Sequence, residues 1–326
     1  MYKLALLFTL LTISTVYAQI GNRQSVAVIL DTDIGPDYDD VGAMAVLHAL
    51  ADRGEVRPLA VISSNKNELV VPSIDVINTW FGRAELPTGA PKGAGPGYGA
   101  SQKWPEMLVE KYPHKIKNTS DAPDAVETYR KILASQPDRS VTIVTIGFLT
   151  NLKNLLESEP DKISPLPGAE LVKRKVKELV SMAGAFPEGR EYNVLTDSVA
   201  SEKVFANWPT QIILSGFEIG KQIKTGAKVI VNERLDSPVK DVYALAMPKS
   251  KEDADGRMSW DQTAVLVAVR GAQPYFGMKR GKIIVEGGSN KWQDDSMGPH
   301  AYLTEAMPIS QITALIEGLM MWEGKR

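Results

Sequence analysis

Short apolar runs and helical repeats alternate along most of this chain. The stretch SVAVILD (25–31) is a continuous apolar run of strand length, and DDVGAMAVLHALADRG (39–54) follows with helical periodicity that stops at Gly54. The same order returns as strand 56–63 and helix 71–82, then as helix 124–135, strand 140–147 and helix 149–158. Runs at 176–184, 210–216 and 281–288 are further strands, and 197–208, 237–247, 259–271 and 309–322 have helical spacing. Strands that are apolar on both faces need cover on both sides, so the pattern predicts an α/β fold: a doubly wound, mostly parallel sheet with helices on both faces. Ligands of such sheets bind at the carboxyl ends of the strands. The Gly/Pro-rich stretch 87–99 interrupts no alternation, so it reads as a loop inside one domain.

The first residues follow another pattern. Lys3 precedes an apolar run of 13 residues, Leu4 to Val16, with four Ser or Thr in it, and Val16-Tyr17-Ala18 then offers a small-x-small cleavage site. A spanning helix needs about 20 apolar residues. The pattern predicts a secretory signal peptide, 1–18, removed after Ala18. Residues 19–326 would then form a single exported domain, periplasmic or secreted, with no membrane contact after cleavage.

Composition narrows the chemistry. The chain has no cysteine, which excludes disulfides, thiolate metal sites and thiol nucleophiles. A net charge of −2 gives no electrostatic case for nucleic acid. The 44% hydrophobic content is enough for a sizeable core.

Against that near-neutral background, DTDIGPDYDD (31–40) places five aspartates in ten positions at the end of the first strand. Asp31 and Asp33 share a strand face, and Asp39 and Asp40 open the next helix, where its dipole favours negative charge. Capping and a Gly35-Pro36 turn account for two of the five. The others repel unless a proton or a cation neutralises them. No Lys or Arg lies between Arg23 and Arg53, so a hard divalent cation, Ca²⁺ or Mg²⁺, is the expected partner.

The stretch DTDIGPDYDDVGAMAVL closely resembles the amino-terminal signature of the nucleoside hydrolases, in a form with two extra residues before the Asp39-Asp40 pair. VISSNKNE, VTIVTIGFLTNL, SMAGAF with EYNVLTD, and SWDQTAVL resemble further blocks of that family, in the same order. The resemblance implies a Rossmann-like nucleoside hydrolase fold and a Ca²⁺ at the bottom of a ribose pocket. Its ligands would be Asp33, Asp40, Asp261 and the carbonyl of Ile146. It also implies that Asp33 is the general base, that Asp39, Asn65, Glu191 and Asn193 hold the sugar hydroxyls, and that Asp31 supports the ligands from behind. The implied reaction is hydrolysis of the N-glycosidic bond of a ribonucleoside for nucleobase salvage, with a homo-oligomer expected by analogy.

Two departures from the family pattern bear on substrate. Trp260 stands before Asp261 where inosine-uridine preferring members often have His, so it either packs or stacks on the base. The 183–193 stretch is short and carries no asparagine ahead of Asn193. Two other outcomes stay open: a Ca²⁺-dependent ribosyl or nucleoside binder without turnover, and a hydrolase of another pentofuranoside. Among the histidines, His48 reads as structural, and His300 as part of a solvated turn or of a closing loop that supplies an acid. The charged loop 247–258 is expected to gate entry.

Overall fold

The computed structural model describes residues 25–324; the proposed signal segment lies outside them. Ten strands form one sheet. They are β1 (Val26–Thr32), β2 (Val56–Ser63), β3 (Thr88–Gly89), β4 (Val141–Thr145), β5 (Val176–Met182), β6 (Glu188–Gly189), β7 (Gln211–Ser215), β10 (Phe276–Glu286), β11 (Ser289–Asp294) and β12 (His300–Glu305). A separate antiparallel pair joins β8 (Lys224–Thr225) to β9 (Arg257–Met258). The order in the large sheet is β3-β2-β1-β4-β5-β7-β12-β10-β11-β6. From β3 to β12 all neighbours are parallel, and β10, β11 and β6 add an antiparallel edge.

The alternation within β1 shows why the sheet needs two cores. Val28 and Leu30 point into one cluster, with Val61, Val144 and Val180 and the helices Asp39–Asp52, Trp260–Arg270 and Ile309–Met320. Ile29 points into the other, with Ile62, Ile143 and Leu179 and the helices Ala125–Ser135, Gly168–Lys175 and Ser198–Asn207. Fully burying each such side chain contributes roughly 1.5–3 kcal/mol. The doubly wound, mostly parallel architecture expected from the apolar runs is the one found.

Helix Asp39–Asp52 is buried from Asp39 through Leu50, so it has no solvent face to carry an amphipathic stripe. It passes close to helix Trp260–Arg270: a Cβ on Gly42 would lie 2.4 Å from Gln262 Nε2 and 2.6 Å from the Tyr243 hydroxyl. That close approach sets the amino ends of the two helices side by side.

The carboxy-terminal region differs from expectation. The stretch around His300, read as a turn or a lid, is strand β12; His300 is buried, and its Nδ1 accepts from the Ile283 N–H at 3.1 Å. β12 runs parallel to β7 and pairs His300 with Ile212, near the amino end of β7. His300 therefore lies at the sheet end opposite the strands' carboxyl termini and cannot serve as an acid there. The strands β11 and β12 escaped the apolar pattern because SNKWQD and HAYLTE are half polar; β12 joins the parallel part of the sheet at β7 to the antiparallel part at β10.

His48 is structural. It is fully buried, stacks on Phe81 at 4.7 Å and shares a 3.0 Å hydrogen bond with Asn78. Burial first, and Arg83 nearby, lower its pKa to about 3. The unfolded chain therefore takes up a proton that the fold refuses, and this contribution to stability is present above the ordinary value of 6.5 and is lost as pH falls toward 3. In urea denaturation at pH 7 and pH 5, wild type should lose about 2 kcal/mol relative to His48→Gln. An equal difference at both pH values would refute the assignment.

Candidate active site

β1 and β4 are neighbours, yet the chain leaves β1 for β2 on one side and returns to β4 on the other. Their carboxyl ends form the switch point of the sheet, where a crevice opens. Asp33 follows β1 and Ile146 follows β4, with the Ile146 N–H bonded to the Asp31 carbonyl at 2.8 Å. Gly147 permits this approach: a Cβ there would lie 2.5 Å from the Asp33 nitrogen and 2.7 Å from its Cβ.

A cavity of about 390 Å³ occupies the crevice, lined by Asp33, Asp37, Asp39, Asp40, Ile146, Glu191, Asn193, Arg257, Trp260 and Asp261, among others. This volume falls in the range of small-molecule sites. Asp39 and Asp40 sit in the first turn of one helix and Asp261 in the first turn of another. Both positive helix ends thus face the cluster. One carboxylate oxygen from each of Asp39, Asp40 and Asp261 lies within 4.8 Å of the others, and all three residues are buried.

Burial, and then repulsion from Asp40 and Asp37, push the Asp33 carboxyl well above its ordinary pKa. Burial and Asp39 do the same to Asp40, and burial, Asp39 and Asp40 to Asp261. Burial raises Asp39 as well, with Arg257 pulling the other way. Asp31 is fully buried behind the pocket; its Oδ2 accepts from the Tyr129 hydroxyl at 2.8 Å and from Asn151 Nδ2 at 3.0 Å, and burial raises its pKa to about 7.

The residues present fit a hard divalent cation. Asp33, Asp40, Asp261 and the Ile146 carbonyl offer oxygen only, and among the described residues no ion pair reaches these three carboxylates. They would hold the ion, whose charge offsets their mutual repulsion.

The sugar-side residues divide. Glu191 lines the pocket, but its carboxylate also caps helix Tyr192–Thr196, accepting from the N–H groups of Asn193, Val194 and Gly184 at 2.8, 3.1 and 3.2 Å. Asn193 Nδ2 donates to the carbonyls of Ile146 and Met182, at 3.3 and 3.2 Å. Asn65 is not brought to the cavity wall. It is fully buried; its Nδ2 donates to the carbonyls of Asp33 and Tyr98, and its Oδ1 accepts from the N–H groups of Tyr98 and Asn67. Its amide is spent on fixing the Asp33 backbone and the 98 loop, so its geometry is that of a brace.

Trp260 takes the packing role and also borders the cavity. Its indole N–H donates to the Phe217 carbonyl at 2.8 Å and its ring stacks on Phe217 at 5.3 Å, while the half-buried ring still lines the cavity. The 183–193 stretch contributes β6 to the sheet edge and presents Glu191 and Arg190 to the cavity.

Sequence reasoning missed Arg257. In the chain it belongs to the charged loop 247–258, expected to gate entry. In the fold its side chain is 10% exposed and pairs with Asp37 at 2.8 Å and Asp39 at 2.9 Å. The 247–258 segment is tied down by this residue and by Asp253, which accepts from the Tyr38 hydroxyl at 2.6 Å. The expected gating motion finds no support in that arrangement.

Comparison with known proteins bears on the family and the fold. The family profile described as inosine-uridine preferring nucleoside hydrolase matches residues 28–297. The chain is 29% identical over 116 residues to the inosine-uridine preferring nucleoside hydrolase of Crithidia fasciculata, a match covering 34% of this chain and 33% of that enzyme. It is 27% identical over 242 residues to the pyrimidine-specific ribonucleoside hydrolase RihA of Shewanella sp. (strain ANA-3), covering 69% and 66%. The purine-preferring ribonucleoside hydrolase of Gardnerella vaginalis shares the fold, with a TM-score of 0.70 at 16% identity over 90% of this chain and 99% of that one.

Because burial and mutual repulsion favour the protonated carboxyls and a cation competes with protons for the same oxygens, cation binding should strengthen with pH. The rise in Tm on adding Ca²⁺ or Mg²⁺ to chelator-treated protein should grow between pH 5 and pH 8 and vanish in Asp40→Asn and Asp261→Asn. At a hundredfold excess over Kd the stabilisation is about 2.7 kcal/mol. A shift independent of pH, or one kept by both variants, would contradict the assignment.

Proposed function

The chain belongs to the inosine-uridine preferring nucleoside hydrolase family, and from that premise we propose that it is a Ca²⁺-dependent hydrolase of ribonucleosides that releases a nucleobase and ribose. The observation that carries the reading is the meeting of Asp33, Asp40, Asp261 and the Ile146 carbonyl on one cavity at the switch point of the sheet. Oxygen ligands from three carboxylates and a carbonyl suit Ca²⁺, which accepts six to eight oxygens, and a ribosyl diol completes such a set.

When bound, the cation supplies positive charge that lowers the pKa of an adjacent water and orients the sugar hydroxyls. Asp33 takes a proton from the attacking water as the water oxygen bonds to the anomeric carbon, and the base nitrogen departs with the electron pair of the broken C–N bond and takes up a proton from solvent. Positive charge develops on the sugar in an oxocarbenium-like transition state, and the buried carboxylates of Asp39 and Glu191 stabilise it. Asn193 holds the Ile146 carbonyl in place through Nδ2 and offers its amide oxygen to a hydroxyl. Trp260, fixed against Phe217, stacks on the departing base. The Lys3-to-Ala18 pattern supports export, and the role is then salvage of external nucleosides outside the cytoplasm.

A second reading, a ribosyl-binding protein without turnover, is favoured by two features. Arg257 already occupies one Asp39 oxygen, and Asn65 has no amide left for a sugar.

A panel of purine and pyrimidine ribonucleosides, with Ca²⁺ and with chelator, separates the two readings. Base release that needs the cation and falls by about 10²–10⁴ in Asp33→Asn supports hydrolysis. Saturable ribose or nucleoside binding with no base released from any member supports the second.

A further inference from the structure

We propose that Arg257 is a positioning residue that divides the acidic cluster, keeping Asp39 for a sugar hydroxyl and leaving Asp33, Asp40 and Asp261 to the cation. The proposal rests on the hydrolase reading. Spacing alone does not separate Asp39 from Asp40, because both fall within the 4.8 Å group with Asp261. Their partners do. Asp40 accepts from the Thr32 hydroxyl, a neutral donor that leaves its charge available to a metal. Asp39 Oδ1 accepts from Arg257 Nε at 3.2 Å and Nη2 at 2.9 Å, and its Oδ2 faces the Asp261 N–H at 3.4 Å. Both N–H groups of the guanidinium fork converge on Oδ1 and hold that one oxygen in place, which leaves Oδ2 as the free end of the carboxylate. The positive charge of the fork also repels a divalent ion from the oxygen it holds.

The grip is rigid. The guanidinium carbon lies 5.0 Å from the Tyr38 ring and 5.1 Å from the Trp260 ring, so aromatic faces bound it on two sides. Asp37 at 2.8 Å and Asp253 at 3.8 Å hold it from other directions, and the Tyr38 hydroxyl anchors Asp253. Arg257 itself belongs to β9, paired with β8. A charge fastened in this way can direct Asp39 without moving during substrate entry. The Asp39 carboxylate keeps a lone pair on Oδ2 for a hydroxyl donor, since each carboxylate oxygen accepts more than one hydrogen bond.

The test compares Arg257→Gln and Arg257→Lys with wild type. Calcium titrated calorimetrically into chelator-treated protein should bind Arg257→Gln about tenfold tighter or more, because Asp39 is released to the ion and a positive charge is gone. Arg257→Lys should restore the wild-type calcium affinity, since it restores the charge. KM for a ribonucleoside should rise about tenfold or more in both variants with a smaller change in kcat, because neither retains the fork. That rise should disappear with the 2′- or the 3′-deoxynucleoside, whichever lacks the hydroxyl that Asp39 holds. Unchanged or weaker calcium binding in Arg257→Gln, or a KM rise equal on all three sugars, overturns the proposal. If Arg257→Gln does not fold, Arg257→Lys carries the test, and a KM for the ribonucleoside unchanged from wild type there counts against the proposal. If wild type releases base from no nucleoside, the hydrolase reading fails, and the calcium titration by itself decides the role of Arg257.

Discussion

The rest of the structure is arranged around negative charge that has been taken out of water. Asp33, Asp39, Asp40 and Asp261 are each nearly inaccessible and all border one cavity. Removing a carboxylate from water costs several kcal/mol unless nearby positive charge restores what is lost. Two sources face this cluster, the amino ends of helices Asp39–Asp52 and Trp260–Arg270 and the guanidinium of Arg257, and the oxygen donors suit a cation as a third. Much of the packing serves to bring these sources together. Gly42 lets the two helices approach closely, and Gly147 lets the end of β4 come up against Asp33.

Sheet topology explains why this charge collects where it does. Loops leave the carboxyl ends of parallel strands, and where the winding reverses direction two neighbouring loops part and leave a crevice. Here the reversal falls between β1 and β4. The loop after β1 supplies the aspartates and the loop after β4 supplies the Ile146 carbonyl. The antiparallel edge of β10, β11 and β6 takes no part in the winding, and β6 supports Glu191 and Arg190 from that side.

Several polar groups near the cavity brace it. Asn65 ties the Asp33 backbone to the Gly/Pro-rich loop at Tyr98 with hydrogen bonds of 2.9 and 2.8 Å. Glu191 satisfies three backbone N–H groups while presenting charge to the pocket. Tyr38, Asp253 and Arg257 fasten the 247–258 segment to the aspartate loop. Fixed dipoles and charges of this sort do not reorganise as a reaction proceeds, which is what an acid-rich pocket needs to favour an oxocarbenium-like state.

Local pattern in the chain determined the parallel core of the sheet, the helices that cover it, and the crowding of aspartates at the end of β1. Each depends on neighbours within a few residues: apolar runs for buried strands, helical spacing for their covers, adjacent carboxylates for a cation site. Block-by-block resemblance added Asp261, Glu191 and Asn193, which the cavity does gather, and Asn65, which is buried behind it. Tertiary structure alone decided the rest. Arg257 lies 218 positions from Asp39 in the chain and belongs to a charged loop expected to gate entry, yet it provides the positive charge that the 23-to-53 interval lacks. His300 moved from an expected turn into a buried strand, at the end of the sheet opposite the cavity, because a half-polar strand carries no apolar run to announce it. The physical reason is common to these cases: secondary structure answers to short-range periodicity, whereas the pairing of charges and the spending of hydrogen bonds depend on which distant elements the fold packs side by side.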